Sequence, residues 1–562
     1  MIKLHKIYNH LWVSCIVTLL SMCVFCSVTT VSDGGSEAGN ARIAGIIVDE
    51  SGLPAANTIV KLIPSGYNPI TSAPIEDSCK DTTDTNGTYC FSAESDRDYT
   101  IEALNTETRF RALATNIIAD THETKVTLTC PGAVRILPPN NGIEYDSGYV
   151  FIPGTSFFVK VKYDNGYVIL DSVPSGLLSN ISFMTNSNSE SIILESEVTV
   201  KSGDTATVLW QGWNHSQKLI LNTSESGANI TEDLYDFPVL VRLSNTNFDF
   251  SQSLSNGNDI RFTSSRGIIL SHEIGLWDIT NEQASIWVRV DTIFADNDLQ
   301  SIMMHWGNAD PKNTANKTAV FDTSSGFEGV WHFQNTQTDT VTDATQNSFN
   351  GISTDISTTP LLGKGIIGDC RVFDGTDDYI TVPNTSEGKL DYPVEGYFTI
   401  SAWVYLAPQN NTPQVIVGKG YEQYFMRYTY FPSDSPLWEF SLFTDDNQWQ
   451  AVTTSAAPGE WVLLTGVRNG QEHSLYLNGV LVSTVPNTYS VQDLSRNTSE
   501  DITIGRFNKA VKLQNEPASF CYFKGSIDEI RIDRGARSDA WVKLCFMNQQ
   551  IDDKLVVFTN KP

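Results

Sequence analysis

Residues 459–484 read GEWVLLTGVRNGQEHSLYLNGVLVST. Leu475, Tyr476 and Leu477 run into Asn478-Gly479, the dipeptide favoured in a type I′ turn because both of its central residues need positive φ, so the chain is expected to fold back on itself here. Upstream, FTISAWVYL (398–406) sets Phe398, Ile400 and Trp403 toward a core from one strand. Downstream, FKGSIDEIRIDRGARSDAWV (523–542) is expected to return Ile527 to Ile532 beside the strand of Phe373, after which Trp541 starts a short helix that covers one end. These pieces describe a two-sheet jelly roll.

The rest of the chain speaks the same language. Short runs of Val, Ile, Tyr, Phe and Trp alternate with Ser, Thr, Asn and Asp, and long stretches with helical apolar spacing are scarce. The expected fold class is all-β, tandem β-sandwiches ending in the jelly roll. At 562 residues the chain is long enough for three or four domains. A formal net charge of -28, spread along the chain, argues against nucleic acid or an anionic membrane surface as the partner.

The first residues are of another kind. Lys3 and Lys6 precede an apolar run from Leu11 to Cys26, shorter than the about 20 residues of a membrane span and broken by Ser14 and Thr18, which reads as a secretory signal over 1–30. Leu20 to Cys23 resembles a bacterial lipobox, although Met22 stands where that motif takes a small residue. Cys23 and Cys26 are the candidates for lipidation, and plain cleavage is the other outcome. A small polar tether follows over 31–41. Export permits disulfides among Cys79, Cys90, Cys130, Cys370, Cys521 and Cys545. Cys79 and Cys90 flank the Asp84 to Gly87 turn and are the pair expected to close.

Four domains are expected after the tether. GIIVDESGLPAANTIVKL (45–62) and TTDTNGTYCFSAESDRDYTIEA (82–103) resemble the carboxypeptidase regulatory-like domain, a small prealbumin-like sandwich, over 42–130. Residues 131–208 read as a second small sandwich with no family resemblance. YDFPVLVRLSNTNFDF, GNDIRFTSS, HEIGLWD and IMMHWGNAD resemble the domain of unknown function 2341 over 209–328. Its Trp277, Trp287 and Trp306 read as core aromatics. VFDGTDDYITV, FTISAWVYL, the opening stretch, DITIGRF and FKGSIDEIRIDRGARSDAWV occur in the order of a laminin-G-like, concanavalin A-like lectin domain, assigned to 329–562.

The resemblance implies an exported bacterial surface protein that binds carbohydrate or takes part in adhesion. Its expected place is extracellular or at the outer-membrane surface, with a membrane contact only through an N-terminal lipid anchor. The expected partner is a glycan or a surface protein, with no nucleic acid. Calcium is the candidate cofactor: such domains often hold it where the FDG turn meets the last strand, which selects Asp374 and Asp528, with Asp377 or Asp378 nearby. Tyr424, Tyr428 and Tyr430 share parity and are the candidate carbohydrate-binding residues.

No catalytic residue is assigned, and the chain is expected not to be an enzyme. The rival is a polysaccharide-degrading glycosidase, which needs two carboxylates about 5 to 10 Å apart. Glu529 and Asp533 are the nearest pair, on what reads as one face of a strand. A structural stalk is the third alternative. No Gly-x-Ser-x-Gly, P-loop or dinucleotide fingerprint occurs, and His332 reads as a hydrogen-bonded histidine at the start of a strand.

Overall fold

The computed structural model describes residues 40–559, apart from 95–97, 119–123, 138–147, 162–166, 179, 186–190, 196–197, 210–212, 214, 266–267, 309–313, 335–338, 385–387, 392–395, 409–411, 421–422, 431–434, 444–448, 487–498 and 513–517. The expected signal segment, with Cys23 and Cys26, and nearly all of the tether lie outside the described residues. No helix among the described residues is long and apolar enough to cross a membrane.

The first sandwich faces a three-stranded sheet (Thr88–Glu94, Asn40–Val48, Thr124–Thr127) against a four-stranded one (Lys80–Thr82, Thr58–Pro64, Asp98–Asn105, Arg111–Ile118). Alternation turns Ile43, Ile47, Val60, Leu62, Tyr89, Phe91 and Ile101 into its core. The Asp84 carboxylate accepts the amides of Asn86 and Thr88, and Gly87 has φ 73°, so the turn forms where the sequence places it. Cys79 and Cys90 do not pair: all six cysteines described are free thiols. Cys79 sits in the short helical turn Asp77–Cys79 packed against the core, whereas the Cys90 sulfur accepts from Arg42 Nε at 3.0 Å on the opposite sheet.

A second sandwich follows, with Gly132–Leu137 central to one sheet and Gly148–Phe151 and Ile181–Thr185 central to the other. Glu102 of the first sandwich fastens the two together. Its carboxylate, 2% exposed, accepts from Lys61 Nζ at 2.8 Å and from the Ser156 amide and hydroxyl at 3.0 and 2.6 Å.

The third unit packs a five-stranded sheet containing His215–Leu221 and Ser301–Trp306 on a three-stranded one, Leu234–Ser244, Gln283–Ile293 and His272–Asp278. Trp287 and Trp306 are fully buried and Trp277 packs on the edge of the same core, as core aromatics should. One edge of the larger sheet is supplied from far away: Val556–Phe558, at the end of the chain, pairs antiparallel with His215–Leu221. Trp541, Leu544, Leu555 and Val556 share this core too. The jelly roll therefore does not extend to residue 562.

The jelly roll itself is two eight-stranded sheets around one apolar core. Asn478 (φ 52°) and Gly479 (φ 77°) form the expected turn between Glu472–Leu477 and Val480–Pro486. The closing strand Lys524–Asp533 lies between Asp369–Asp374 and Tyr397–Leu406, so it does return beside Phe373. Phe398 and Ile400 enter the core, but Trp403 does not join them. Alternation carries Phe398, Ile400, Ala402, Val404 and Leu406 inward and leaves Trp403 on the opposite face, where it stacks on Phe546 and donates to Gln549 Oε1 at 2.8 Å. Both partners belong to the helix Asp539–Gln549, N-capped by Ser538, which is wedged between jelly roll and third unit. On its other side Asn548 exchanges two hydrogen bonds with the backbone of Leu240.

Candidate functional site

The tyrosines chosen from parity do lie on a common face, but that face looks inward. Tyr424 and Tyr428, 0% and 2% exposed, sit on Tyr424–Thr429 with Met426, inside the jelly-roll core. Tyr424 packs on Phe398 and donates its hydroxyl to the Leu390 carbonyl. Tyr428 meets Trp438 edge to face. Neither can offer a ring to a sugar. Tyr430 lies beyond the end of the strand and is partly exposed.

Asp374 and Asp528 do not meet. Asp374 pairs with Lys524 and Arg371 with Ile527, so Asp528 falls opposite Cys370, four positions down the ladder and about 13 Å away. Asp528 is fully buried and accepts the amides of Ile366 and Ile367, both at 3.0 Å. Burial, and then the Glu529 charge, push its carboxyl well above the usual range.

What does converge is the turn itself. Asp374, Asp377 and Asp378 bring one carboxylate oxygen each to within 4.8 Å of one another. Gly375 (φ 82°) permits the tight return. Asp374 Oδ1 accepts the amides of Thr376 and Asp377, and Asp378 Oδ2 accepts the amide of Asp374. Burial tends to raise the Asp374 carboxyl, but these amides outweigh it and hold the group low; at Asp378 burial wins and the carboxyl is raised.

Beside this turn lies an aromatic cluster that sequence reasoning missed. The Arg506 guanidinium carbon is 3.4 Å from the ring centroid of Tyr379, 4.8 Å from Phe520 and 5.8 Å from Tyr522. Arg506 Nη1 donates to the Tyr522 hydroxyl at 3.1 Å, and the Tyr379 hydroxyl is 2.9 Å from that of Thr354. All four cluster residues are partly exposed. Gly505 (φ 89°) makes the approach feasible, since a Cβ there would lie 2.5 Å from Phe373 Cε1 and 3.3 Å from the Asp378 carbonyl. Tyr379 and Arg506 stand in the two quoted pieces VFDGTDDYITV and DITIGRF, yet only the pairing of Ile380–Val382 with Ile502–Ile504 brings them together.

A second set of charged groups is sealed inside. Glu529 occupies the bulge of the closing strand at φ 51°, is 1% exposed, and accepts from His332 Nδ1 at 2.8 Å and Arg531 Nη2 at 3.2 Å. Asp533, 4% exposed, is paired with Arg537 at 2.8 Å. His332 is indeed a partnered histidine. Its Nε2 lies 3.4 Å from Glu273 of the third unit, and Trp287 stacks on its ring.

Residues 374–543 match the family model of the Concanavalin A-like lectin/glucanases superfamily (Laminin_G_3), and residues 256–341 match the Domain of unknown function DUF2341. No curated protein matches the chain. Among solved structures, the binding domain of Paraclostridial Mosquitocidal Protein 1 is similar at 14% identity and a TM-score of 0.31, over 39% of this chain and 52% of that one. Domain 4 of AbnA, a GH43 extracellular arabinanase from Geobacillus stearothermophilus in complex with arabinotriose, is similar at 20% identity and a TM-score of 0.30, over 39% and 97%. The botulinum neurotoxin serotype C1 binding domain is similar at 16% identity and a TM-score of 0.31, over 40% and 52%. The present chain thus spans about half the length of the toxin chains, and at such scores the likenesses carry no further argument. On the two family matches, the chain carries a DUF2341 domain followed by a laminin-G-like domain of the concanavalin A-like lectin/glucanase superfamily.

Proposed function

We propose that this is a non-catalytic, exported surface protein whose jelly roll binds glycan at the rim formed by the Asp374 turn and the Tyr379, Arg506, Phe520 and Tyr522 cluster. The observation that carries the reading is the position of partly exposed aromatic rings and a guanidinium directly beside three convergent carboxylates. Aromatic faces pack against the C–H face of a sugar, and the guanidinium supplies donors for its hydroxyls or carboxylates. Calcium fits the turn: it is a hard cation that takes carboxylate and carbonyl oxygens, and it would neutralise Asp374, Asp377 and Asp378 where they otherwise repel one another. Bound there, it would hold the turn that positions Tyr379. Catalysis is disfavoured because Glu529 and Asp533, the best carboxylate pair in the sequence, are buried and ion-paired, beyond reach of a polysaccharide. The apolar segment over 1–30 supports export, with lipidation at Cys23 or Cys26 and plain cleavage as its two outcomes.

The test is a glycan array probed with the full chain, in calcium and in chelator, together with calorimetric melting. The isolated 329–562 segment is unsuitable, because its helix and last strand belong to the third unit's core. Retention on a subset of glycans and a higher melting temperature in calcium are expected, since a ligand bound only by the folded state stabilises it. An array without a retained glycan would leave the stalk reading in place.

A further inference from the structure

A cavity of about 360 Å³ lies between the first sandwich and the DUF2341 unit. Asp98 and Ile118 line it from one side; Ile269, Arg289, Asp291 and Asp322 line it from the other. Its size is in the range of small-ligand sites, and a junction of domains is a common place for one.

The charges in it are unbalanced. Arg289 is already engaged, donating to Asp236 through Nε at 3.0 Å and Nη2 at 2.6 Å, with Nη1 3.5 Å from Asp322. The Asp98 and Asp291 carboxylates make no hydrogen bond or close ion pair with a described residue. Both side chains remain accessible, yet enough protein surrounds them that burial raises both carboxyls; Arg289 opposes the rise, and neighbouring carboxylates add to it. A metal ion is a poor match. Among the described residues the one group of three such side chains whose ligand atoms gather within 4.8 Å is Asp374, Asp377 and Asp378, so Asp98, Asp291 and Asp322 do not all converge on one point. Carboxylates spread over the wall rather than gathered at one point suit a larger, organic cation. Neutral hydrogen-bonding residues complete the wall, Asn116 and Ser271 among them.

We propose that the cavity binds an amino sugar, with the ammonium group between Asp98 and Asp291, the hydroxyls on Asn116 and Ser271, and the C–H face against Ile118 and Ile269. A bare alkylamine would leave the hydroxyl partners idle, and an N-acetylated or neutral sugar would leave both carboxylates uncompensated. This site is separate from the jelly-roll rim.

The test is titration of the full chain with glucosamine, N-acetylglucosamine, glucose and butylamine at neutral pH, followed by calorimetry. Glucosamine should bind at least ~10-fold more tightly than each of the other three, a difference of about 1.4 kcal/mol. Its affinity should fall in acid as the carboxylates protonate. The double variant Asp98→Asn, Asp291→Asn should lose the binding while melting as a folded chain. Arg506→Ala, at the rim, should leave it unchanged, which separates failure here from failure of the rim. Equal binding of glucose or N-acetylglucosamine, equal binding of butylamine, or full binding by the double variant would each overturn the proposal.

Discussion

Nδ1 of His332 lies 2.8 Å from Oε1 of Glu529, while the opposite nitrogen of the same ring lies 3.4 Å from Oε2 of Glu273. One imidazolium thus joins the closing strand of the jelly roll to the DUF2341 unit. Arg531, 4.4 Å from the Trp287 ring, closes the other side of the cluster. Removing one member of a buried ion pair strands the remaining charge, so His332→Gln should destabilise the chain by about 3–5 kcal/mol in chemical denaturation. An unchanged midpoint would show that the cluster contributes nothing to the junction.

The same contact makes stability depend on pH. Burial alone would lower the His332 group, but Glu529 and Glu273 outweigh it and raise the imidazolium from 6.5 to about 10. Because the folded value is the higher one, the stabilisation is complete below pH 6.5 and is lost as pH rises toward 10. Melting temperature should decline across that window in the wild type and more weakly in His332→Gln. Parallel profiles would refute the assignment.

The last strand should be indispensable to a domain that begins over 300 residues earlier. Deleting residues 553–562 removes Leu555 and Val556 from the third core and uncovers the edge of His215–Leu221. Loss of large buried side chains costs about 2–5 kcal/mol each, so limited proteolysis should cut the DUF2341 unit of the truncated chain much faster than that of the intact one. Equal protection would mean that the strand merely rests on the sheet.

Cys79 and Cys90 should both alkylate in the unfolded, unreduced protein. Replacing both by Ala should cost far less than the roughly 3 kcal/mol of a disulfide closing a short loop. A mass spectrum of the unreduced chain showing the pair linked would contradict the free thiols seen here.

The strand pattern and the turns were largely legible in the sequence, because period-two alternation and Asn-Gly or Asp-x-Asn-Gly turns act locally. The Asn478-Gly479 hairpin and the return of Ile527 beside Phe373 follow that logic. Parity, however, says which residues share a face and not which way it points: Tyr424 and Tyr428 share one that looks into the core. Bulges are equally silent in sequence, and the extra residue in the closing strand shifts its pairing between Ser401 and Trp403, whereas the outward turn of Trp403 follows from simple alternation with Phe398 and Ile400. The turn around Asp374 is a local feature, whereas Asp528 was assigned to it through a strand pairing whose register the sequence does not state. The closure of the third sheet by Val556–Phe558 is a contact across the whole length of two domains, and no local pattern encodes it.

Glycan retention by the full chain bears most directly on the rim, measured in calcium and in chelator for wild type, Arg506→Ala and Asp374→Asn. Wild type should retain glycan in calcium and lose at least ~10-fold in chelator, about 1.4 kcal/mol. Arg506→Ala should lose retention while keeping the calcium-dependent rise in melting, and Asp374→Asn should lose both. Wild-type retention by both variants, or retention indifferent to calcium, would contradict a calcium-supported glycan site at this rim.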